Sequence, residues 1–397
     1  MARSDGKPIW LDCDPGHDDA IALLFALFAP QNCTGGSNFA AALDLLGVSV
    51  VAGNAPVAAT YANAARLLTL YGAALPKHSR DFESDGVHLF CGSEVPLNKL
   101  PRSDPDIHGE DGLGGVTGLP SLGSEQVQKR VWASYDVPQQ RHLLPRSSPG
   151  ELLVFWHALL THRIKKGLPK MTIVATGPLT NVALLMRGFP DLVEQGIEEV
   201  VIMGGAPPGT RGNRGPLAEF NILVDPEAAD IVFNFDVPVV MAGLNVTHQA
   251  IFGRSHLERL QAHQCGDQAL CDTLASVVTF FADTYKSEFG FTSGPPVHDV
   301  LAVAYVVAPE LFNCPTTGAP PKRYQVQVET AAHSLAMGST VIDFYAKTCQ
   351  RPEEEWWGRG GRNAIVLEHL DVEKLWDMFF ACLERCAQRR KQLGVSS

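Results

Sequence analysis

Short apolar runs alternate with amphipathic helical stretches along most of this chain, and that alternation constrains its fold more than any other feature. Pro8–Asp14 predicts a buried strand, and His17 to about Phe28 a helix. Leu46–Asn54 and Ala58–Gly72 repeat the pair. Further strands are expected at Met171–Thr176, Val200–Met203 and Val239–Leu244, with helices near Leu179–Val193 and over Glu227–Phe235. Such a series implies an α/β fold, a mostly parallel sheet flanked by helices. In sheets of this kind a ligand sits beyond the carboxyl ends of the strands. Asp14, Asn54, Thr176 and Met203 all stand where a strand is expected to stop.

Composition narrows the function. With 397 residues, 45% apolar and 19% charged, the chain is globular rather than disordered. Residues 31–42 and 121–149 look like loop insertions, not linkers, so the expectation is one large domain over 1–397. A net charge of -11 argues against a nucleic-acid polymer as partner. No stretch is long and apolar enough for a membrane span, and the first residues lack the apolar segment of a signal peptide. The nine cysteines form no CxxC, and Cys382 and Cys386 have no histidine nearby, which speaks against zinc. A reduced, cytoplasmic protein is expected. The last helix, 372 to about 393, ends in Arg389, Arg390 and Lys391, read as a solvated helix end.

The most informative stretch is Asp12-Cys-Asp14-Pro-Gly-His-Asp18-Asp19, with four carboxylates where a strand turns into a helix. Helix capping explains one aspartate, because free N–H groups and the macrodipole favour negative charge there. Four packed together cost several kcal/mol unless a cation or ligand hydroxyls compensate. The donors are all oxygen, which selects a hard ion such as Ca²⁺ or Mg²⁺. Chemistry alone therefore points to a metal-dependent site that handles hydroxyl groups.

The block LDCDPGHDDAIALL resembles the signature of the nucleoside N-ribohydrolases, the inosine-uridine-preferring nucleoside hydrolases. VVAGN to Asn54, IHGEDGLGG from Ile107, TGPLTNVAL from Thr176 and MGGA from Met203 add to the likeness. So do NRGPLAEFNILVDPEAA from Asn213, LNVTH to His248 and PPVHDVLAVAY from Pro295. Together they cover nearly the whole chain, as in a fungal or eukaryotic-type member with insertions. The resemblance implies a Rossmann-like core, a homodimer or homotetramer, and hydrolysis of ribonucleosides to free base and ribose. It also implies one Ca²⁺ per subunit, held by Asp14, Asp19, the Thr176 carbonyl and Asp299, with Asp14 as general base. Asp18, Asn54, Asn213, Glu219 and Asn221 resemble ribose-binding residues, joined by Asp299. Met203 and Phe220 would pack under the sugar, and Asp12 would support the metal cluster from behind.

His298, directly before Asp299, resembles the family's general acid for the leaving base, and His108 a base-side position. Tyr285 and Phe289 stand at helical spacing, which fits a base-lining face and a core stripe equally. Gly290 and Gly294 suggest a mobile flap before His298, while His248 is read as structural. Two rivals are weighed. A D-x-D phosphatase with Mg²⁺ fits Asp12 and Asp14, but Pro15 and Gly16 follow where Gly and Thr are expected. A non-catalytic nucleoside or ribose binder would have lost the base or a metal ligand, and all are present.

Overall fold

The strand at Lys7–Cys13 (β1) is apolar on both sides, and the computed structural model shows why. Ile9, Leu11 and Cys13 enter one core and Trp10 the other, because helices cover both faces of the sheet. The structure describes residues 6–30, 42–135, 144, 148–351, 353 and 355–394. The remaining strands are Leu43–Val50 (β2), His88–Cys91 (β3), Met171–Ala175 (β4), Ile197–Met203 (β5) and Val239–Ala242 (β6). Lys322–Val328 (β7), Thr340–Asp343 (β8) and Ala364–Val366 (β9) complete one sheet in the order β3-β2-β1-β4-β5-β6-β9-β7-β8. Strands β1 to β6 and β9 pair in parallel, while β7 runs antiparallel to both its neighbours.

Strand order decides where the site lies. From β1 the chain steps outward to β2 and β3, then the helix Pro149–Lys165 returns it to β4 on the opposite side of β1. The direction of winding reverses between β1 and β4, and there the loops leaving the two strands part and open a crevice. The Thr176 amide donates to the Asp12 carbonyl at 2.8 Å, holding the two strand ends side by side. The acidic block therefore sits at the switch point.

Several expectations shift. β2 starts at Leu43 and stops at Val50, so Asn54 belongs to a loop rather than a strand tip. The expected helix near Leu179–Val193 is two, Thr180–Gly188 and Pro190–Gly196, because Pro190 has no N–H to continue the first. The stretch 121–149 is not all loop. It contains the helix Glu125–Trp132, capped by Ser124, which buries Val127 and Val131. Of the insertion at 31–42, residues 31–41 lie outside the described residues. The last helix, Val372–Gln392, matches its expected span, but Arg390 is not solvated. It is buried and donates to Asp267 at 2.6 Å and to the Leu70 carbonyl at 2.7 Å.

Candidate active site

Beyond β1 the chain turns through Asp14, Pro15 and Gly16 into the helix His17–Phe28. Gly16 is required by crowding, since a Cβ there would lie 2.5 Å from His108 Nδ1 and 2.8 Å from Asn54 Nδ2. Gly53 and Gly177 close on the Asp14 carboxylate in the same way, at 2.0 and 2.7 Å from a hypothetical Cβ. Asp14 Oδ2 accepts from the Asn54 amide at 2.8 Å, while its buried Oδ1 has no hydrogen-bond partner. Asp19 is better served. It accepts from the Gly16 amide at 2.9 Å, from Thr176 Oγ1 at 2.8 Å and from Asn54 Nδ2 at 3.3 Å.

Asp299 arrives from the far side of the fold, at the start of the helix Val300–Val307. One carboxylate oxygen from each of Asp18, Asp19 and Asp299 falls within 4.8 Å of the others, and Asp18 Oδ1 is a second buried oxygen without a partner. Among the described residues no lysine or arginine forms an ion pair with Asp14, Asp18, Asp19 or Asp299. Burial and then the charge of Asp19 push the Asp18 carboxyl up to about 8. Burial, followed by mutual repulsion, likewise holds Asp14 and Asp299 well above the usual carboxylate range. Such crowding without a positive neighbour is what a bound cation relieves, so the residues fit a metal ion.

Asp12 has partners of its own, and its buried Oδ2 has none. It accepts from Ser49 Oγ and from Asn181 Nδ2 at 2.8 Å on the Trp10 face, and burial raises its carboxyl to about 7.

Beside the carboxylates lies a partly open pocket. Asp18, Asn54, Thr176, Met203, Asn213, Glu219, Phe220, Asn221 and Asp299 line its polar end, and His108, Tyr285, Phe289 and His298 the other. Asp14 and Asp19 are not part of the lining but bond to two residues that are, Asn54 and Thr176. Glu219 is fixed as the cap of the short helix Phe220–Val224, accepting amides of Gly205, Asn221 and Ile222. Asn221 Nδ2 donates to the carbonyls of Thr176 at 2.8 Å and Met203 at 3.1 Å, tying the ends of β4 and β5 to this helix.

The opposite end is aromatic. His298 is buried between Tyr285, whose hydroxyl is 2.7 Å from Nε2, and Thr247, whose Oγ1 is 2.8 Å from Nδ1. Burial holds its imidazole well below the ordinary histidine range. Both Tyr285 and Phe289 come from the helix Gln268–Phe289, which Gly290 terminates in the left-handed region. The expected flap is pinned at its far end: a Cβ on Gly294 would lie 2.3 Å from the Phe252 carbonyl, and the Phe252 amide donates to the Pro295 carbonyl at 3.0 Å. His248 stays outside the cavity lining, its ring packed on Phe291 and His298.

Sequence reasoning missed three groups here. Asp104 lines the cavity and receives Arg214 through Nε at 2.7 Å and Nη2 at 2.5 Å, and Arg214 also lies over the Phe289 ring. Asp104 precedes Pro105 and Arg214 adjoins Asn213, but nothing in the sequence joins two residues so far apart. Of the two residues that hold Asp12, Asn181 stood inside the TGPLTNVAL block with no role assigned to it, and Ser49 was read only as part of a strand. His17 stacks within 8° of parallel on Phe280 and reaches His108 at 3.3 Å. It stood inside the acidic block.

Residues 9–377 match the model of the inosine-uridine preferring nucleoside hydrolase family. The chain belongs to that family. It is 32% identical over 389 residues to a probable ribonucleoside hydrolase of Dictyostelium discoideum, covering 97% of both chains. It is 34% identical over 372 residues to the pyrimidine-specific ribonucleoside hydrolase RihA of Citrobacter koseri, covering 94% of this chain and 96% of that one. Among solved structures, the purine-preferring ribonucleoside hydrolase from Gardnerella vaginalis superposes with a TM-score of 0.70 at 24% identity, over 96% of this chain and 99% of that one. The plant nucleoside hydrolase PpNRh1 gives 0.69, also at 24%, over 95% and 98%. At that identity the structural likeness establishes the shared α/β fold. No helix among the described residues is long and apolar enough to cross a membrane.

Proposed function

We propose that this member of the nucleoside hydrolase family cleaves the N-glycosidic bond of ribonucleosides, releasing free base and ribose. One observation carries the reading: a single cavity joins a cage of buried carboxylates without cationic partners to an aromatic end holding a histidine–tyrosine pair. Asp14, Asp19, the Thr176 carbonyl and Asp299 would hold a Ca²⁺, with Asp18 beside them. The all-oxygen donor set and the orphaned oxygens of Asp14 and Asp18 suit a hard cation. When bound, such an ion polarises a water and chelates sugar hydroxyls.

The chain's own residues supply the rest. Asp14, whose Oδ1 is free while Asn54 fixes Oδ2, takes the proton from the attacking water. Asp18, Asn54, Asn213, Glu219 and Asn221 grip the ribose hydroxyls, with Met203 and Phe220 packed beneath the ring. Cleavage develops positive charge on C1 and the ring oxygen, and acceptors already fixed by the backbone stabilise that charge more than they stabilise the neutral sugar. His298 passes a proton to the departing base, held in place by Tyr285 and Thr247. We further infer a cytoplasmic enzyme that works as a homodimer or homotetramer, which size-exclusion chromatography with light scattering measures directly.

The test is a panel of ribonucleosides assayed for free ribose, with and without a calcium chelator. The expected result is ribose release from uridine or inosine that stops with the chelator and returns with Ca²⁺. Absence of release from every ribonucleoside, or release from 2′-deoxyribonucleosides at equal rate, contradicts the reading.

A further inference from the structure

His17 donates to a backbone carbonyl, and that one contact determines the hydrogen on a second ring. His17 Nε2 lies 3.0 Å from the Gly114 carbonyl oxygen, which can only accept, so Nε2 carries the proton. The ring is buried, parallel to Phe280 at 4.9 Å and to Phe281 at 5.5 Å between centroids. An apolar sandwich of this kind favours the neutral imidazole, leaving Nδ1 of His17 as an acceptor. Its partner at 3.3 Å is Nδ1 of His108, which must therefore be the donor. With its proton on Nδ1, His108 has a bare Nε2. His108 lines the cavity, and Nε2 has no protein partner among the described residues.

Two further contacts hold the arrangement rigid. The Gly114 amide donates back to the His108 carbonyl at 2.9 Å, so the loop that orients His17 is closed on the residue it controls. Asn63 Nδ2 bridges the Pro15 carbonyl at 3.1 Å and the Asp111 carbonyl at 2.7 Å, locking this loop to the turn before His17.

We propose that His17 is a positioning residue: through the Gly114–His17–His108 chain it fixes the tautomer of His108, so that Nε2 accepts a hydrogen bond from the bound nucleoside. The inference rests on the nucleoside hydrolase reading and deepens it. It makes the site selective for nucleosides that bring a donor to this point, either a ring N–H of the base or the 5′-hydroxyl of the sugar. An accepted hydrogen bond present before and during cleavage acts on binding, so its loss raises KM and leaves kcat nearly unchanged.

The experiment compares the parent chain with His17→Phe and His17→Gln. Phenylalanine keeps the stacked shape and loses both polar contacts, while glutamine can still donate to Gly114 and accept from His108. The expected result is a rise of about tenfold in KM for His17→Phe, with parent-like values in His17→Gln. Nitrogen-15 spectra of histidine-labelled protein should show His108 protonated on Nδ1 in the parent and in His17→Gln, and a mixture of tautomers in His17→Phe. Analogues identify the donor: N-methylation of the base ring (3-methyluridine or 1-methylinosine), or removal of the 5′-hydroxyl, should cost the parent about tenfold and His17→Phe far less. His108 protonated on Nε2 in the parent overturns the proposal. So does an unchanged KM in His17→Phe, or a parent that ignores both analogues. A parent chain that releases ribose from no nucleoside rejects the hydrolase reading instead, while the spectra still decide the tautomer.

Discussion

The two ends of the cavity are built on different principles. Its carboxylate end is carried by the sheet: Asp14 and Thr176 follow adjacent central strands, Met203 ends the next, and glycine contacts leave their backbones little freedom. Its aromatic end is carried by pieces outside the sheet, namely the helix Gln268–Phe289, the loop bearing Asp104 and His108, and the Arg214 segment that bridges them. A scaffold of paired strands tolerates little change, so chemistry common to all ribonucleosides belongs at the first end. Peripheral helices and loops can alter without disturbing the sheet, so the proposed function puts recognition of one base over another at the second.

That contrast is breakable by experiment, beginning where the effect should be largest. Asp14→Ala or Asp14→Asn should lower kcat by about a thousandfold or more for every ribonucleoside, with circular dichroism and melting temperature showing an intact fold. Chelation should abolish turnover just as evenly. It should also lower the melting temperature by several degrees, because four buried carboxylates then repel one another unrelieved. A chelator that leaves both turnover and melting unchanged removes the cation from the account.

Variants at the aromatic end should discriminate among substrates. His298→Ala should slow natural nucleosides about a hundredfold or more yet spare p-nitrophenyl riboside, whose leaving group needs no proton. Equal losses on both would reject the acid role. Arg214→Met leaves Asp104 buried beside the cavity without its partner and frees the face of Phe289. It should change KM several-fold, unequally for purine and pyrimidine nucleosides, with kcat within about twofold. A uniform fall in kcat there would mean that the two ends are not separable.

The same division governed what the sequence disclosed. Elements that build the carboxylate end are contiguous and strongly patterned, so β1, the turn at Asp14 and the helix from His17 were legible, as was the α/β class. Asp12 was assigned a supporting place by the resemblance alone, and its recorded contacts run to Ser49 and Asn181. What escaped depends on residues distant in the chain. The Asp104–Arg214 and Asp267–Arg390 pairs join segments more than a hundred residues apart, and no period in the sequence records them. Arg390 was misjudged because a basic helix end ordinarily faces water. The strands β7 to β9 escaped because short strands set among loops lack a sustained alternation.

The central claim is that the buried acids hold one divalent cation under the sugar end of the cavity. Crystals grown with Ca²⁺ and measured for its anomalous scattering test this most directly. A single peak per chain bounded by Asp14, Asp19, the Thr176 carbonyl and Asp299 is the predicted result. No peak there, with those carboxylates bonded to one another through shared protons, would contradict it.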